Sequence, residues 1–291
     1  PADLGECEYE RTSDGKILSV LCNPSVMRCH LMPKSWAVTS ILQLVAEKRE
    51  PQPFSALIDT GALVTGFNNF EVAVHLLRMG LQSMDAVVFL NSKDEQMVLL
   101  RNGGRVLPLA ECGIPVHKRF TFYDHVHTTG MDILQMPTGK AAVTLGKDMT
   151  FRDLAQGVWR MRRIGQGQTA ELLVIPEIVE LVKKHSKLSR EARMPLDLLN
   201  PSQEPSALPL FQEGQNDKPV NDNISKCELK SVCEWLLVYS MRSESIQFRM
   251  LCEQGMQSVW RKRAFRELQQ QYESVGRSEC DDFTRQSIDA F

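Results

Sequence analysis

The sequence lacks several features that would assign a protein to a class at once. It contains no apolar run of about 18 residues, the length that a helix needs to span a bilayer. Its eight cysteines form no CxxC pair and do not cluster as they do in small secreted scaffolds. We therefore expect an intracellular protein, cytoplasmic or nuclear, that has no membrane partner.

An excess of charge of one sign is also missing. The net charge is −2 at pH 7, so no overall field would recruit nucleic acid or an anionic surface. The spacing of Cys22, Cys29 and His30 fits no closed four-ligand zinc pattern, and we predict no metal site. The chain has no initiator methionine and starts at Pro1, which indicates a fragment of a longer protein.

Composition divides the chain into four predicted regions. Residues 1–34 have a loop-like pattern, and residues 35–184 alternate strand and helix signals. Residues 185–226 are rich in Pro, Ser, Gln, Asn and Asp, which is typical of a flexible linker. Residues 227–291 form a predicted helical block.

The second region predicts an α/β fold. Short apolar runs predict five buried strands at 54–59, 86–90, 120–123, 141–145 and 170–175. Continuous rather than alternating apolar strands, separated by helices, favour a mostly parallel sheet that is covered by helices on both faces. Ligands of such sheets bind outside the carboxyl ends of the strands, so the turns after Asp59, Tyr123 and Leu145 are where we expect function.

Two helices of this region have predicted boundaries. Asn69 stands where an N-cap belongs, and Gly80 is placed to end that helix. The second helix begins at Phe151, with Thr150 as its cap and Asp153 returning a hydrogen bond to the cap amide.

The helix from Phe151 carries an arginine-rich face. If it continues through LAQGVWRMRR, then at about 100° per residue Gln156, Arg160 and Arg163 share the side opposite to the core. Guanidinium groups pair bidentately with phosphate oxygens and stay charged, which suits them to neutralise a transferring phosphoryl group. A solvated amphipathic face is the alternative interpretation.

These positions resemble two helicase motifs. A glutamine followed at four and seven residues by arginines is similar to motif VI of superfamily 2 helicases, although the glycines of that motif are absent here. In that family the arginines reach a nucleotide held by the preceding RecA-like domain. Upstream, Thr128, Thr129, Gly130, Met131 and Asp132 resemble motif V, whose Gly-hydrophobic-Asp turn contacts the nucleic-acid backbone and the nucleotide ribose.

A longer resemblance covers most of the chain. The runs LIDTGALVTGFNN, FYDHVHTTGMDI and TLGKDMTFRDLAQGVWRMRRIGQGQ resemble a family of very large eukaryotic proteins of unknown function with a helicase-like P-loop core. Many members carry the label ubiquitinyl hydrolase. The resemblance implies that this chain is the second, C-terminal RecA-like half of a helicase-like NTPase. Its partner would be the missing N-terminal RecA-like half of the same protein.

The same resemblance implies roles for individual residues. Arg160 and Arg163 would neutralise the phosphate, and Gln156 would orient the attacking water. Gly130 and Asp132 would hold the nucleotide sugar or a nucleic-acid backbone.

The cofactor would be ATP with Mg²⁺, bound by the full-length protein. No GxxxxGK[ST] loop occurs in this sequence, because Gly139-Lys140 and Gly146-Lys147 lack the preceding glycine and the following hydroxyl. The chain alone is therefore not expected to bind or hydrolyse ATP.

A thiol-dependent deubiquitinase is the alternative function. It would require a thiol nucleophile, a histidine base and an orienting group, for which Cys112, His127 and Asp124 are the candidates. In that case this region would be a binding scaffold with ubiquitin as a partner. A small loop cysteine with no catalytic role is the simpler interpretation of Cys112.

Other patterns suggest weaker alternatives. The sequence around Asp59-Thr60-Gly61 is similar to the catalytic turn of aspartic proteases, but it opens a helix in an α/β alternation. A metal cluster of Asp124, His125 and His127 with Asp132 is another alternative, but the two histidines alternate along a predicted strand end, so they would point to opposite faces unless the chain turns there.

The helical block has a basic surface. Its segment WRKR, at 260–263, lies on an amphipathic helix, and we expect a helical hairpin that packs on the parent protein. Nucleic-acid contact through the basic face is the alternative.

Overall fold

A computed structural model of the chain describes residues 13–47, 52–185 and 224–275. Within them lies an eight-stranded sheet with the order β1-β8-β7-β2-β6-β3-β4-β5. The strands are β1 (Met27–Leu31), β2 (Ala56–Ile58), β3 (Ala86–Leu90), β4 (Gln96–Leu100), β5 (Val106–Pro108), β6 (Arg119–Tyr123), β7 (Lys140–Thr144) and β8 (Thr169–Val174). Strands β1, β8, β7, β2, β6 and β3 run parallel, whereas β4 and β5 add to β3 as an antiparallel meander.

Six α-helices accompany this sheet in the described part of the chain. They are α1 (Ser13–Leu21), α2 (Val38–Glu47), α3 (Asn69–Met79), α4 (Phe151–Val158), α5 (176–185) and α6 (Ile224–Val275). The chain separates into two compact units, residues 1–239 and residues 240–291. The sheet belongs entirely to the first unit.

The direction of each crossover assigns the covering elements to the two faces. The connections from β1 to β2 and from β2 to β3 run one way along the sheet, and those from β6 to β7 and from β7 to β8 run the other way. Because parallel crossovers are right-handed, α2 and α3 cover one face, and α4 with residues 124–139 covers the other. The predicted α/β class with a mostly parallel sheet is confirmed.

The central strands are buried along their whole length. Every residue of β3 and of β7 is buried, which explains their continuous apolar runs. Lys140 in β7 is the charged exception, and its ammonium forms an ion pair with the buried carboxylate of Glu171 in β8. This pairing offsets the cost of burying both charges in the sheet.

Helix starts follow the local signals closely. The Thr150 side chain accepts from the Asp153 amide, and the Asp153 carboxylate accepts from the Thr150 amide, as predicted. For α3 the predicted cap is wrong by one residue. Asn68 caps Glu71, and Asn69 instead donates its side-chain amide to the Leu90 carbonyl.

The region 1–34 is not loop-like where the structure describes it. Helix α1 and strand β1 occupy most of residues 13–31. Within the described residues β1 is an edge strand that pairs with β8, and of its five residues one is buried, two are half-buried and two are exposed. It therefore lacks the continuous apolar run by which the other parallel strands are identified.

The C-terminal region forms one helix rather than the predicted hairpin. Helix α6 runs without interruption from Ile224 to Val275. Its early residues Leu229, Val232, Cys233, Trp235 and Leu236 are buried and belong to the core of the first unit. Most of the predicted linker lies outside the described residues, as do residues 276–291.

Beyond residue 240, helix α6 has a different character. Its described side chains from 241 to 270 are exposed, apart from the half-buried Ser243 and Phe265. None of the described helices combines the length and the apolar character that crossing a membrane requires.

Candidate functional site

The chain connections diverge at the carboxyl ends of the neighbouring strands β2 and β7, which makes this place a topological switch point. The two strands are neighbours, but the connection after β2 leads towards β3 and the connection after β7 leads towards β8. In open α/β sheets the crevice at such a switch point is the usual ligand site. The loops after Ile58 and Thr144 therefore decide what this edge can bind.

Those two loops are in direct backbone contact. A Cβ atom on Gly61 would lie 2.6 Å from the Gly146 nitrogen, and one on Gly146 would lie 2.4 Å from the Gly61 carbonyl oxygen. Both positions therefore require glycine. Because the loop backbones meet here, the switch point holds protein atoms where other α/β proteins hold a ligand.

The side chain of Asp59 stabilises this contact between the two loops. Its side chain is 1% exposed, and its carboxylate accepts from the Thr144 hydroxyl at 2.6 Å and from the amides of Leu63 and Val64 at 2.9 and 3.0 Å. Burial raises the pKa of Asp59, although these hydrogen bonds and the charge of His125 act in the opposite direction. A carboxylate whose oxygens are both occupied in the interior is a structural brace, which does not fit the aspartic-protease alternative.

The segment that resembles motif V lies in the crossover from β6 to β7. Thr128 is buried, and its hydroxyl donates to the His125 carbonyl at 2.9 Å. Thr129 and Gly130 are exposed, and Gly130 has a φ of +77° with open space around its α-carbon. Asp132 is exposed as well, so three of the four predicted contact residues are accessible.

Two side chains from the sheet hold this crossover in place. The hydroxyl of Tyr123, which is fully buried, accepts from the Ile133 amide at 2.9 Å. The side-chain amide of Gln96 in β4 donates to the Asp132 carbonyl at 3.0 Å. Burial raises the pKa of Tyr123, so the phenol stays neutral and keeps this role across the physiological pH range.

The arginine-rich segment does not remain helical throughout. Helix α4 ends at Val158, a 3₁₀ turn covers Trp159–Met161, and Arg162 has a φ of +62°. Gln156 and Arg160 stay adjacent, since the Arg160 Nε atom donates to the Gln156 carbonyl at 3.4 Å. The predicted common helix face is therefore wrong for Arg163, which lies beyond the end of the helix.

The arginines contact the crossover segment directly. The Arg160 guanidinium donates to the Met131 carbonyl, and the Arg162 Nε atom donates to an Asp132 carboxylate oxygen at 3.0 Å. The hydrogen bond with Asp132 raises the pKa of Arg162. The segments that resemble motifs V and VI are thus joined, although they are about 30 residues apart in sequence.

Arg163 and Gln156 are the more available members of this group. Both are exposed, and the Arg163 main-chain amide is held by the side chain of Gln168 at 2.7 Å. The sequence interpretation did not include Arg162 among the site residues and missed its pairing with Asp132. The spacing of four and seven residues from Gln156 selects Arg160 and Arg163. No local pattern indicates that Arg162 pairs with Asp132, which lies 30 residues earlier in the sequence.

The residues of the thiol alternative are only partly brought together. The imidazole of His127 meets the carboxylate of Asp124 at 2.5 Å, but its other nitrogen faces Asp94 at 2.9 Å. Cys112 precedes β6, and its carbonyl accepts from Arg119 at the start of that strand. Asp124 follows the carboxyl end of the same strand, which spans about 16 Å. The structure therefore places Cys112 near the amino end of β6 and Asp124 at its carboxyl end, on opposite edges of the sheet along the strand direction.

The two histidines do not lie on a strand end. Residues His125–Thr128 form a 3₁₀ turn in which His125 is exposed and His127 is buried. No group of three or more potential metal ligands is present in the part of the chain that the structure describes.

Comparisons of the chain with protein-family models, with curated proteins and with solved structures found no match.

Proposed function

We propose that the sheet unit is one half of a two-domain nucleotide site and offers arginines to phosphates that a separate RecA-like half of the same protein holds. The observation that carries this proposal is the direct contact between the two helicase-like segments. Arg160 and Arg162 are oriented by Met131 and Asp132, and Arg163 stands exposed in the same turn.

The charge of this turn supports a polyanionic ligand. Arg160, Arg162 and Arg163 fall within four residues, and Asp132 forms the ion pair described for this group. Guanidinium groups in a fixed arrangement suit the spread charge of a phosphoryl group in transfer. Arg160 is already bound to a carbonyl, so it serves to fix the turn, and Arg163 is the better candidate for phosphate contact.

The contact at the switch point supports a nucleotide site that is shared with a second domain. The loops after β2 and β7 meet through Gly61 and Gly146, which occupy the position where a sheet of this type cradles phosphates. The nucleotide would therefore lie on the surface of this unit, bound from the other side as ATP with Mg²⁺. Thr129 and Gly130 are exposed beside the arginines and are the proposed contacts to the sugar or to a nucleic-acid backbone.

The test uses the full-length protein with Arg163→Ala. An arginine that stabilises the transferring phosphate is worth about 10³-fold or more in turnover, so we expect a loss of that order in ATP hydrolysis. Binding of a fluorescent ATP analogue should change little. Arg152→Ala, which removes an exposed arginine from the first turn of α4, is the matched control and should leave turnover unchanged.

Two results would contradict the proposal. One is a full-length protein that neither binds nor hydrolyses nucleoside triphosphates. The other is equal turnover in wild type and in Arg163→Ala, because a phosphate-contacting guanidinium cannot be removed without effect on the transition state.

The thiol alternative is not favoured by this geometry. A thiol nucleophile needs its histidine base within hydrogen-bonding distance, whereas Cys112 and His127 belong to opposite edges of the sheet.

A further inference from the structure

His127 is held between two carboxylates that come from different parts of the fold. Its Nδ1 atom is 2.5 Å from an Asp124 oxygen, and its Nε2 atom is 2.9 Å from an Asp94 oxygen. The imidazole side chain is 11% exposed and that of Asp124 is 17% exposed, whereas Asp94 is 73% exposed.

Only the protonated ring satisfies both contacts. A neutral imidazole has one N–H donor and one lone pair, so one of its nitrogens would face a carboxylate oxygen with no proton between them. The imidazolium donates to both partners. Burial acts to lower the pKa of His127, but the hydrogen bonds and charges of Asp94 and Asp124 outweigh burial and raise the pKa.

The partner Asp94 is presented by a well-defined hairpin turn between β3 and β4. The Asn91 side chain accepts from the amides of Lys93 and Glu95 at 2.9 Å each, and the Asn91 carbonyl accepts from the Asp94 amide at 3.1 Å. Asp94 has a φ of +60°, a left-handed conformation that Asp and Asn tolerate better than most residues. The turn therefore fixes the backbone position from which the Asp94 side chain reaches His127.

The hairpin and the crossover meet at two places. One is the His127–Asp94 contact, and the other is the hydrogen bond from Gln96 to the Asp132 carbonyl. Residues 124–133 run from Asp124 to the Tyr123-bound Ile133, and they include the Met131 and Asp132 groups that hold Arg160 and Arg162. Whatever fixes this segment also fixes the arginine turn.

We propose that protonated His127 is a positioning residue that clamps the crossover segment 124–133 to the β3–β4 hairpin and so sets the pose of the arginine turn. The effect on the arginines rests on the proposed function, whereas the clamp itself does not. The clamp is complete below the ordinary histidine pKa and is released as the pH rises through the raised pKa of His127.

The charged groups that act on the ring are few. They are Asp124 from its own turn and Asp94 from the hairpin. Helix α4 also packs against this turn and carries the charged residues Arg152 and Asp153, and strand β6, which contacts the turn as well, carries Arg119.

The first test is an NMR titration of the histidine side chains in the whole 291-residue chain. We expect His127 to titrate above the ordinary value of 6.5 in wild type and at a lower pH in Asp94→Asn. Asn keeps the left-handed turn and removes only the charge. Glu95→Gln, which removes a charge from the same hairpin without touching His127, should leave its titration in place.

The second test is amide hydrogen exchange of the hairpin and of residues 124–133. At a pH below the His127 titration, exchange in both segments should be faster in Asp94→Asn than in wild type. Above that titration the two proteins should exchange alike, because the wild-type clamp is then released. A structural contact that does not titrate would show the same difference at every pH.

The outcomes separate this proposal from the preceding one. If His127 titrates at or below the ordinary value, or if Asp94→Asn leaves its titration and the exchange rates unchanged, the clamp is rejected. If the clamp is found but Arg163→Ala leaves ATP turnover unaltered, then the nucleotide function fails and the clamp stands. Neither readout of the clamp requires nucleotide.

Discussion

A single buried carboxylate, that of Asp59, organises the edge of the sheet where function was expected. Its oxygens bind Thr144 across the strands and the amides of Leu63 and Val64 in the following loop. The motif-like sequence around Asp59 therefore has a structural explanation. It closes the switch point rather than presenting an acid to a substrate.

Asp59→Asn should destabilise the unit by about 1–3 kcal/mol at acidic pH, because the NH2 group of the amide cannot accept from a backbone N–H, whereas both oxygens of the protonated carboxyl group can. The pKa of Asp59 is raised in the folded state, so ionising it costs more there than in the unfolded chain. Its contribution to stability is thus complete below the ordinary value of 3.8 and declines as the pH rises through the folded pKa.

Urea unfolding of both proteins across this range tests the sign. We expect the stability difference between wild type and Asp59→Asn to shrink as the pH rises. A constant difference would show that the pKa of Asp59 is the same in the folded and unfolded protein, and a difference that grows with pH would show that the folded pKa is lowered; either result contradicts the prediction. Asp85→Asn, at a surface position, is a suitable control.

At the scale of elements, the start of α4 was predictable and its end was not. The start depends on Thr150 and Asp153, which lie three residues apart, so the capping signal is local. The end depends on the left-handed Arg162 and on contacts to Met131 and Gln168. These partners come from other strands and loops, and periodicity within the helix cannot reveal them.

The same distinction separates the strands that were found from those that were missed. Strand β3 is buried throughout, and its apolar run gave the correct bounds. Strand β1 exposes part of its surface at the edge of the sheet, and β4 and β5 lie in the partly exposed meander. A continuous apolar run identifies a buried strand in the sequence. A partly exposed strand is identified only by the neighbouring strand to which it is hydrogen-bonded.

Helix α4 also depends on a glycine where it crosses the loop after β2. A Cβ atom on Gly157 would lie 2.0 Å from the Thr60 Cγ2 atom. Gly157→Ala should therefore destabilise the unit by about 1–3 kcal/mol through overpacking, even though alanine favours the helix. Chemical denaturation measures this cost.

A second substitution identifies its cause. Thr60→Ser removes the clashing methyl group and keeps the hydroxyl that donates to the Thr144 carbonyl. The double variant Thr60→Ser/Gly157→Ala should regain most of the stability lost by Gly157→Ala. Additive losses would mean that the loop methyl group is not the obstacle. Gly255→Ala in α6, where a Cβ meets nothing within 4 Å, should cause no loss.

At the scale of the whole molecule, the sheet order assembles the candidate site from distant segments. Strands β6 and β7 flank β2, so their connection passes over the sheet face beside α4. This brings together the pairs Asp94–His127 and Asp132–Arg162, and the hydrogen bond from Gln96 to the Asp132 carbonyl ties the hairpin to the same segment. The individual motifs were visible in the sequence, but their connection required the strand order.

The division of the chain into two compact units predicts where the chain can be shortened without loss of stability. A chain of residues 1–239 keeps the buried Leu229, Val232, Trp235 and Leu236, whereas a chain of residues 1–223 loses all four. Burial of such side chains stabilises by about 1.5–3 kcal/mol each, so the shorter chain should lose about 6–12 kcal/mol.

Denaturant unfolding followed by the fluorescence of Trp36 and Trp159, which both shortened chains retain, measures the difference. We expect residues 1–239 to unfold at the same denaturant concentration as the whole chain and residues 1–223 to unfold much earlier. Equal midpoints for the two shortened chains would show that the first turns of α6 contribute little to the core. A lowered midpoint for residues 1–239 would show that the second unit stabilises the first. The described side chains of the second unit are almost all exposed, so they add little to a core of that unit's own.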